Sequence, residues 1–232
     1  MILCAHQPVY LPGAILFSKI ALCDAIVLIG HVQLEKSSWQ TRNRIRDGKR
    51  NTPQYLSVPV RTKGRFGQSI NDTEIVAVPW MKKHLRSIFL TYKDRPYFEE
   101  YFEPLKGLLE KDWSTLSQLN NALIKKIIKW LNLSANVFDS RDLDIQGSKT
   151  EMLIAICKAV GATDFISNPG AAAYLDEGLF IDADIRHHWQ EFMPPIYEQG
   201  HSFLSDLSVI DILFNLGPEA GKIVRSSASI AS

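Results

Sequence analysis

The sequence predicts an α/β protein with a largely parallel sheet and flanking helices, opening with a βαβ unit and carrying a helical insertion. Three observations predict it. Ile2–Ala5 and Ala25–Ile29 are short, wholly apolar runs, the pattern of strands buried on both faces of a parallel sheet. Between them, Ala14–Cys23 sets apolar residues at 15, 16, 20 and 22 around Lys19, which suits a short helix, and Asp24 punctuates its end. From residue 80 to 133 the periodicity turns helical, and strand-like runs return only afterwards.

Residues 4–12, Cys-Ala-His-Gln-Pro-Val-Tyr-Leu-Pro, join the first strand to the first helix. Prolines at 8 and 12 keep this connection out of helix and out of a central strand. Gly30–Thr52 is polar and reads as irregular, with Trp39 among Lys36, Arg42, Arg44, Arg46, Lys49 and Arg50. Tyr55–Val60 and Thr73–Val78 read as strands. Met81–Tyr92 and Tyr97–Leu109 read as helices, with Pro104 expected to kink or divide the second. Thr115 and Gln118 have capping-box spacing, and Leu116, Leu119, Leu123, Ile127 and Leu131 form one apolar stripe.

Asn136–Ser140 is strand-like. Ser148 and Glu151 open a helix that Gly161 stops. Asp164–Ser167 reads as a short strand running into the turn Asn168-Pro169-Gly170. Phe180–Phe192 carries mixed strand patterning, Leu207–Leu216 is an apolar closing segment, and Gly217-Pro218 ends one element and starts a last helix. With no repeat, low-complexity tract or linker, the expectation is one domain over 1–232, its helical segment around 80–133.

Composition narrows the function classes. At 46% hydrophobic and 22% charged, the 232 residues can bury a substantial core. A formal charge of +1 gives no global drive toward nucleic acid or an anionic membrane, so any basic site is local. Cys4, Cys23 and Cys157 lie in apolar surroundings without CxxC spacing, as small core residues of a reducing compartment do. Cys4 and Cys157 are the thiols a nucleophile reading would use. No apolar run approaches the ~20 residues of a spanning helix, and the first residues read as strand rather than leader, so the expected location is cytoplasmic.

Three groups of residues could carry chemistry. The first is His6, Gln7 and Tyr10, with Lys19 about two turns into the following helix. A strand-to-helix handover is where α/β folds bind ligands, and histidine titrates nearest neutral pH. The second runs from Gln33 to Arg50. There Arg42, Asn43 and Arg44 could grip a diphosphate while the Trp39 indole covers a base or sugar; the bland alternative is a solvated charged loop. The third is Asn168-Pro169-Gly170 with Tyr174, where small residues let backbone N–H groups approach an anion. His187 and His188, adjacent in a strand, would face opposite ways and cannot readily share a metal. Metal-protease, nucleotide-loop and nicotinamide motifs are absent, which leaves cofactors unknown, no metal expected, and ATP open as an activating nucleotide.

The order strand, histidine loop, helix, strand is similar to nucleotidyltransferase-like folds. Here, however, positions 6 and 9 are His and Val rather than paired histidines. The whole chain resembles the WbqC-like family, bacterial proteins encoded among surface-polysaccharide genes. The residues that carry the match are His6-Gln-Pro-Val-Tyr-Leu-Pro12, Lys19, Asp24, Val32-Gln33, Trp39-Gln-Thr-Arg-Asn-Arg44, Val58-Pro59, Tyr92, Ile166-Ser167, Gly170, Tyr174, Tyr197, Gln199 and Leu207–Asn215 with Gly217. Where the family usually carries aspartate before Val32, this chain reads Gly30-His31. The resemblance implies a sugar-modifying enzyme of O-antigen assembly. The resulting expectation is a transferase that forms an amide between an activated amino-acid or acyl donor and a nucleotide-linked amino sugar. His6, Gln7, Tyr10 and Lys19 would be catalytic, with Gln33, Trp39, Arg42, Asn43, Arg44, Tyr174, Gln199 and Asp211 binding substrate. The rivals are a non-catalytic nucleotide-sugar or partner-binding module, and a nucleotidyltransferase or ATP-dependent ligase.

Overall fold

The computed structural model describes residues 1–200 and 202–231. Its centre is a six-stranded sheet built from β1 (Ile2–His6), β2 (Ala25–Leu28), β5 (Asn136–Asp139), β6 (Asp164–Ser167), β7 (Arg186–Phe192) and β8 (Ala228–Ile230). The strand order is β5-β2-β1-β6-β7-β8. All neighbours pair in parallel except β7 with β8. The expected βαβ opening is present as β1, α1 (Ala14–Ala21) and β2.

Side chains alternate across the sheet, so successive residues of β1 enter different cores. Cys4 with Ile26 and Ile166 meets Phe17 and Ile20 of α1 on one face. Leu3 and Ala5 with Val27 and Phe165 meet Leu153 and Ile156 of α5 (Lys149–Val160) on the other. Chain order reverses at β1: the first crossover runs to β2, while β6 pairs on β1's other edge. Such a switch point opens a crevice at the carboxyl ends of the strands.

The helical insertion is α2 (Trp80–Tyr92), α3 (Phe98–Leu109) and α4 (Leu116–Trp130), packed into the same core as α1. The Thr115–Gln118 capping box forms, and Gly161 ends α5 at φ 73, where a side chain would be strained. Pro104 does not divide α3: the helix runs through it. The sequence expectation fails most clearly in the arginine-rich segment. Arg42–Arg46 is a strand, β3, paired antiparallel with β4 (Pro53–Ser57). Thr73–Val78 is not a strand and makes only isolated bridges, Glu74 with Thr115 and Val60 with Ile75. The segment 180–192 divides into α6 (Glu177–Asp182) and β7, separated at Asp184, whose φ is 56. Two short helices, α7 (Ile210–Leu216) and α8 (Ala220–Arg225), precede β8. Among the described residues no helix is long and apolar enough to cross a membrane.

Candidate functional site

The His6–Pro12 loop leaves the end of β1 and is pinned by buried amides. Asn120 of α4 donates from Nδ2 to the Pro8 carbonyl at 3.1 Å and to the Gln40 carbonyl at 2.8 Å. Asn43 of β3 donates to the Tyr10 and Leu11 carbonyls at 3.2 and 2.8 Å. These bonds hold Leu11 at φ 41, a left-handed conformation that costs a non-glycine residue roughly 1–2 kcal/mol. Gln40 fixes Gln7. Its Oε1 accepts from the Glu35 backbone N–H, so its Nε2 must donate, and it does so to Gln7 Oε1 at 2.6 Å. The Gln7 amide therefore presents its NH2 elsewhere.

Two cavities flank this loop. The first, of about 520 Å³, is bounded by the loop, β3, the start of α1 and the segments 192–197 and 203–207, with His6, Gln7, Trp39, Asn43, Arg44 and Tyr197 in its wall. The second, of about 430 Å³, opens between the ends of β1, β2 and β6 and the start of α5. His6, Gln7 and Glu35 line both.

His6 Nδ1 lies 2.7 Å from the Gln7 carbonyl oxygen. A carbonyl only accepts, so Nδ1 carries the hydrogen and the neutral ring keeps its lone pair on Nε2. Burial, and then the nearby Lys19 ammonium, lower its pKa to about 4 against the opposing pull of the Gln7 carbonyl. At neutral pH His6 is an uncharged base. Lys19 is itself buried and donates to the Ala5 carbonyl at 3.1 Å. Burial lowers its pKa, against the pull of the neighbouring Cys4 and Cys23 thiols. All three cysteines are free and buried.

Tyr10 is not part of either cavity wall. Its ring is fully buried, and its hydroxyl meets His84 Nδ1 at 2.9 Å. The His84 ring also hydrogen-bonds the Ser57 backbone, and burial lowers its pKa to about 4. Burial likewise raises the Tyr10 pKa, so the phenol stays protonated and braces the loop.

The expected Arg42–Asn43–Arg44 grip is divided. Along a strand, Arg42 and Arg44 share a face and Asn43 takes the other. Arg42 sits 4.6 Å over Tyr55, and Arg44 sits 5.2 Å over Trp39, whose indole lies 6.2 Å from the Tyr55 ring. Of the two arginines, Arg44 lines the first cavity. Its guanidinium is 4.0 Å from Asp206, and its buried Nε has no partner among the described residues.

Gln199 and Asp211 stand behind the wall. Asp211 accepts from Tyr92 and Tyr197, each at 2.7 Å, and burial raises its pKa despite those bonds. Arg46 bridges Asn51 and Gln199. Through Asp211, the Tyr197 ring is set in the first cavity. Tyr174 is exposed at the second cavity, while Gln33 is exposed on a bridge to Ser69 and lines neither. His31 bonds Ser140 at 2.8 Å and also stays outside both cavities. The sequence reading omitted Glu35, Lys149 and Tyr197 from its site. Tyr197 stood among the residues of the family resemblance, but the other two carry no local signal.

A neutral histidine thus lies on a ridge between two cavities at the carboxyl ends of the parallel strands, the place where open α/β sheets commonly hold ligands. The chain belongs to the WbqC-like protein family, whose model matches residues 7–223. It is 33% identical over 222 residues to "Uncharacterized protein Rv1507c" of Mycobacterium tuberculosis (strain ATCC 25618 / H37Rv), an alignment covering 94% of this chain and 95% of that one. No solved structure matches.

Proposed function

We propose that this protein is a transferase of surface-polysaccharide assembly that forms an amide on a nucleotide-linked amino sugar, with His6 as the general base. The observation that carries this reading is the His6 ring: neutral, its tautomer set by the Gln7 carbonyl, and its Nε2 without a protein partner among the described residues. An amine attacking an acyl carbon must lose a proton, and an unprotonated imidazole nitrogen facing a cavity suits that step. In this reading the Gln7 NH2, left free by the bond that Gln40 makes to Oε1, donates to the oxyanion that forms on the acyl oxygen. In the first cavity the Trp39 face covers the sugar or base, and the Arg44 guanidinium donates to a phosphate oxygen.

The test is His6→Asn, which keeps polarity but cannot take a proton near neutral pH. Turnover with the cognate amino-sugar nucleotide and activated donor should fall ~10²–10⁴-fold while calorimetric affinity for the nucleotide sugar stays near wild type. Loss of affinity in proportion to turnover would reassign His6 to binding. A wild-type protein that binds such a nucleotide tightly and turns over none with any activated donor is the binding module instead.

A further inference from the structure

The two cavities differ in charge. In the first, Arg44 faces Asp206 at 4.0 Å, and Glu35 adds a second carboxylate. In the second, Lys19 and Lys149 line the wall against the single carboxylate of Glu35, with His6 uncharged between the two. The uncompensated positive charge of the site thus lies on the α5 side of the His6–Gln7 ridge.

The ladder shows how the Lys19 ammonium comes to be there. β1 pairs with β2 as far as His6, opposite Leu28, but with β6 only as far as Cys4, opposite Ile166. Beyond that point β1 and β6 part. The His6 carbonyl accepts from Ile29 on the β2 side, so by strand alternation the Ala5 carbonyl turns toward β6. There it meets Lys19 Nζ instead of a ladder N–H. A side chain only 2% exposed therefore delivers an ammonium to the crevice between the strands and makes one protein hydrogen bond with it, among the described residues. Burial lowers the Lys19 pKa against the opposing pull of Cys4 and Cys23, and a bound anion would add to that pull.

We propose that the second cavity binds the anionic end of a second ligand, a phosphate or a carboxylate, between Lys19 and Lys149. His6 and Gln7 form the ridge across which that ligand meets the occupant of the first cavity. The word "second" rests on the reading of the first cavity given above; anion binding itself does not, and it is tested without any nucleotide sugar.

The experiment is thermal unfolding and calorimetric titration of the whole protein with inorganic phosphate, pyrophosphate, acetate and succinate, at constant ionic strength against chloride. At least one of these anions should stabilise the protein saturably above chloride. Phosphates acting alone identify a phosphate ligand, and carboxylates acting alone identify an acid. Lys149→Gln, at an exposed side chain that leaves the core intact, should weaken that binding at least fivefold, and Lys82→Gln, at an exposed lysine outside both cavities, should leave it within twofold. Lys19→Met should abolish it where the variant folds. The proposal is overturned if no anion acts beyond chloride, if Lys149→Gln binds as wild type does, or if Lys82→Gln loses binding as much as Lys149→Gln. Failure here leaves the His6→Asn result standing, and a failed His6→Asn test leaves the anion result standing.

Discussion

Asn120 carries an unusual share of the site for a residue that lines neither cavity. Fully buried in α4, it donates both Nδ2 hydrogens to backbone carbonyls of two different segments, Pro8 in the loop after β1 and Gln40 before β3. Asn120→Ala removes two hydrogen bonds and leaves two carbonyls facing apolar surroundings. Each bond is worth ~1 kcal/mol net, and each stranded buried acceptor costs ~1–3 kcal/mol, so the variant should lose about 2–5 kcal/mol. For a chain of this length that corresponds to a fall of about 5–15 °C in Tm. Asn120→Asp changes one atom type yet should be at least as damaging at pH 7, because an ionised carboxylate would face both carbonyls. Acid should relieve it, since a protonated carboxyl can donate one of the two bonds again. Urea unfolding at pH 7 and pH 4.5 reads both effects relative to wild type. An Asn120→Ala variant within 0.5 kcal/mol of wild type, or an Asn120→Asp variant milder than it at pH 7, would refute the idea that this amide pins the loop.

Two further predictions concern groups the fold holds away from their ordinary charge. His84 is held neutral to about pH 4, whereas an unfolded histidine protonates near 6.5. A depressed pKa of this kind gives stability that is present above 6.5 and is lost as pH falls toward 4. Between pH 7 and 5 the loss is about 2 kcal/mol for His84, and it is smaller for His6, which water reaches. The stability gap between wild type and His84→Gln should narrow by about that amount over the same interval; a pH-independent gap rejects the assignment. Asp211→Ala removes an acceptor shared by Tyr92 and Tyr197, and should cost about 3–5 kcal/mol and weaken binding in the first cavity. Asp211→Asn, whose amide can still accept from one phenol, should recover at least half of that by urea unfolding. Equal losses in the two variants argue against the shared-acceptor geometry.

The parts of this molecule legible in the sequence are those set by near neighbours. β1, α1 and β2 follow from apolar runs and a proline-framed connection, and the capping box of α4 follows from residues three apart. β3 was hidden because its period-two pattern is written in Arg42, Arg44 and Arg46. Ile45 is its one apolar residue, so alternation looked like a charge run. Tyr10 was misplaced for a different reason. A phenol in a ligand-type loop suggests chemistry, but its partner is His84, 74 residues away, and burial, not motif, decides what it does. Gln199 and Asp211 stood in the pattern that marks the site, yet they act through Tyr197 and Arg46. Glu35 and Lys149 acquire meaning only when the ends of β1 and β6 bring them to one cavity.

The pairing of Lys19 with His6 ties these observations together. A buried ammonium with a single protein hydrogen bond among the described residues is expensive, because removing a charge from water costs several kcal/mol unless a counter-charge meets it. An apolar residue would pack α1 against β1 without that cost. What the ammonium does instead is electrostatic on both sides of the ridge. Added to burial, the larger cause, its charge disfavours a second charge on His6 and helps keep the imidazole a free base. Its remaining donors face a cavity whose other cation is Lys149. An arriving anion would relieve the burial of Lys19 and weaken its hold on His6. The part of the His6 pKa depression that Lys19 causes would then shrink as the second cavity fills, while the larger part, burial, would stay. The base would thus become a stronger proton acceptor when its reaction partner is in place, and a histidine ring proton titration with and without the bound anion measures that change directly.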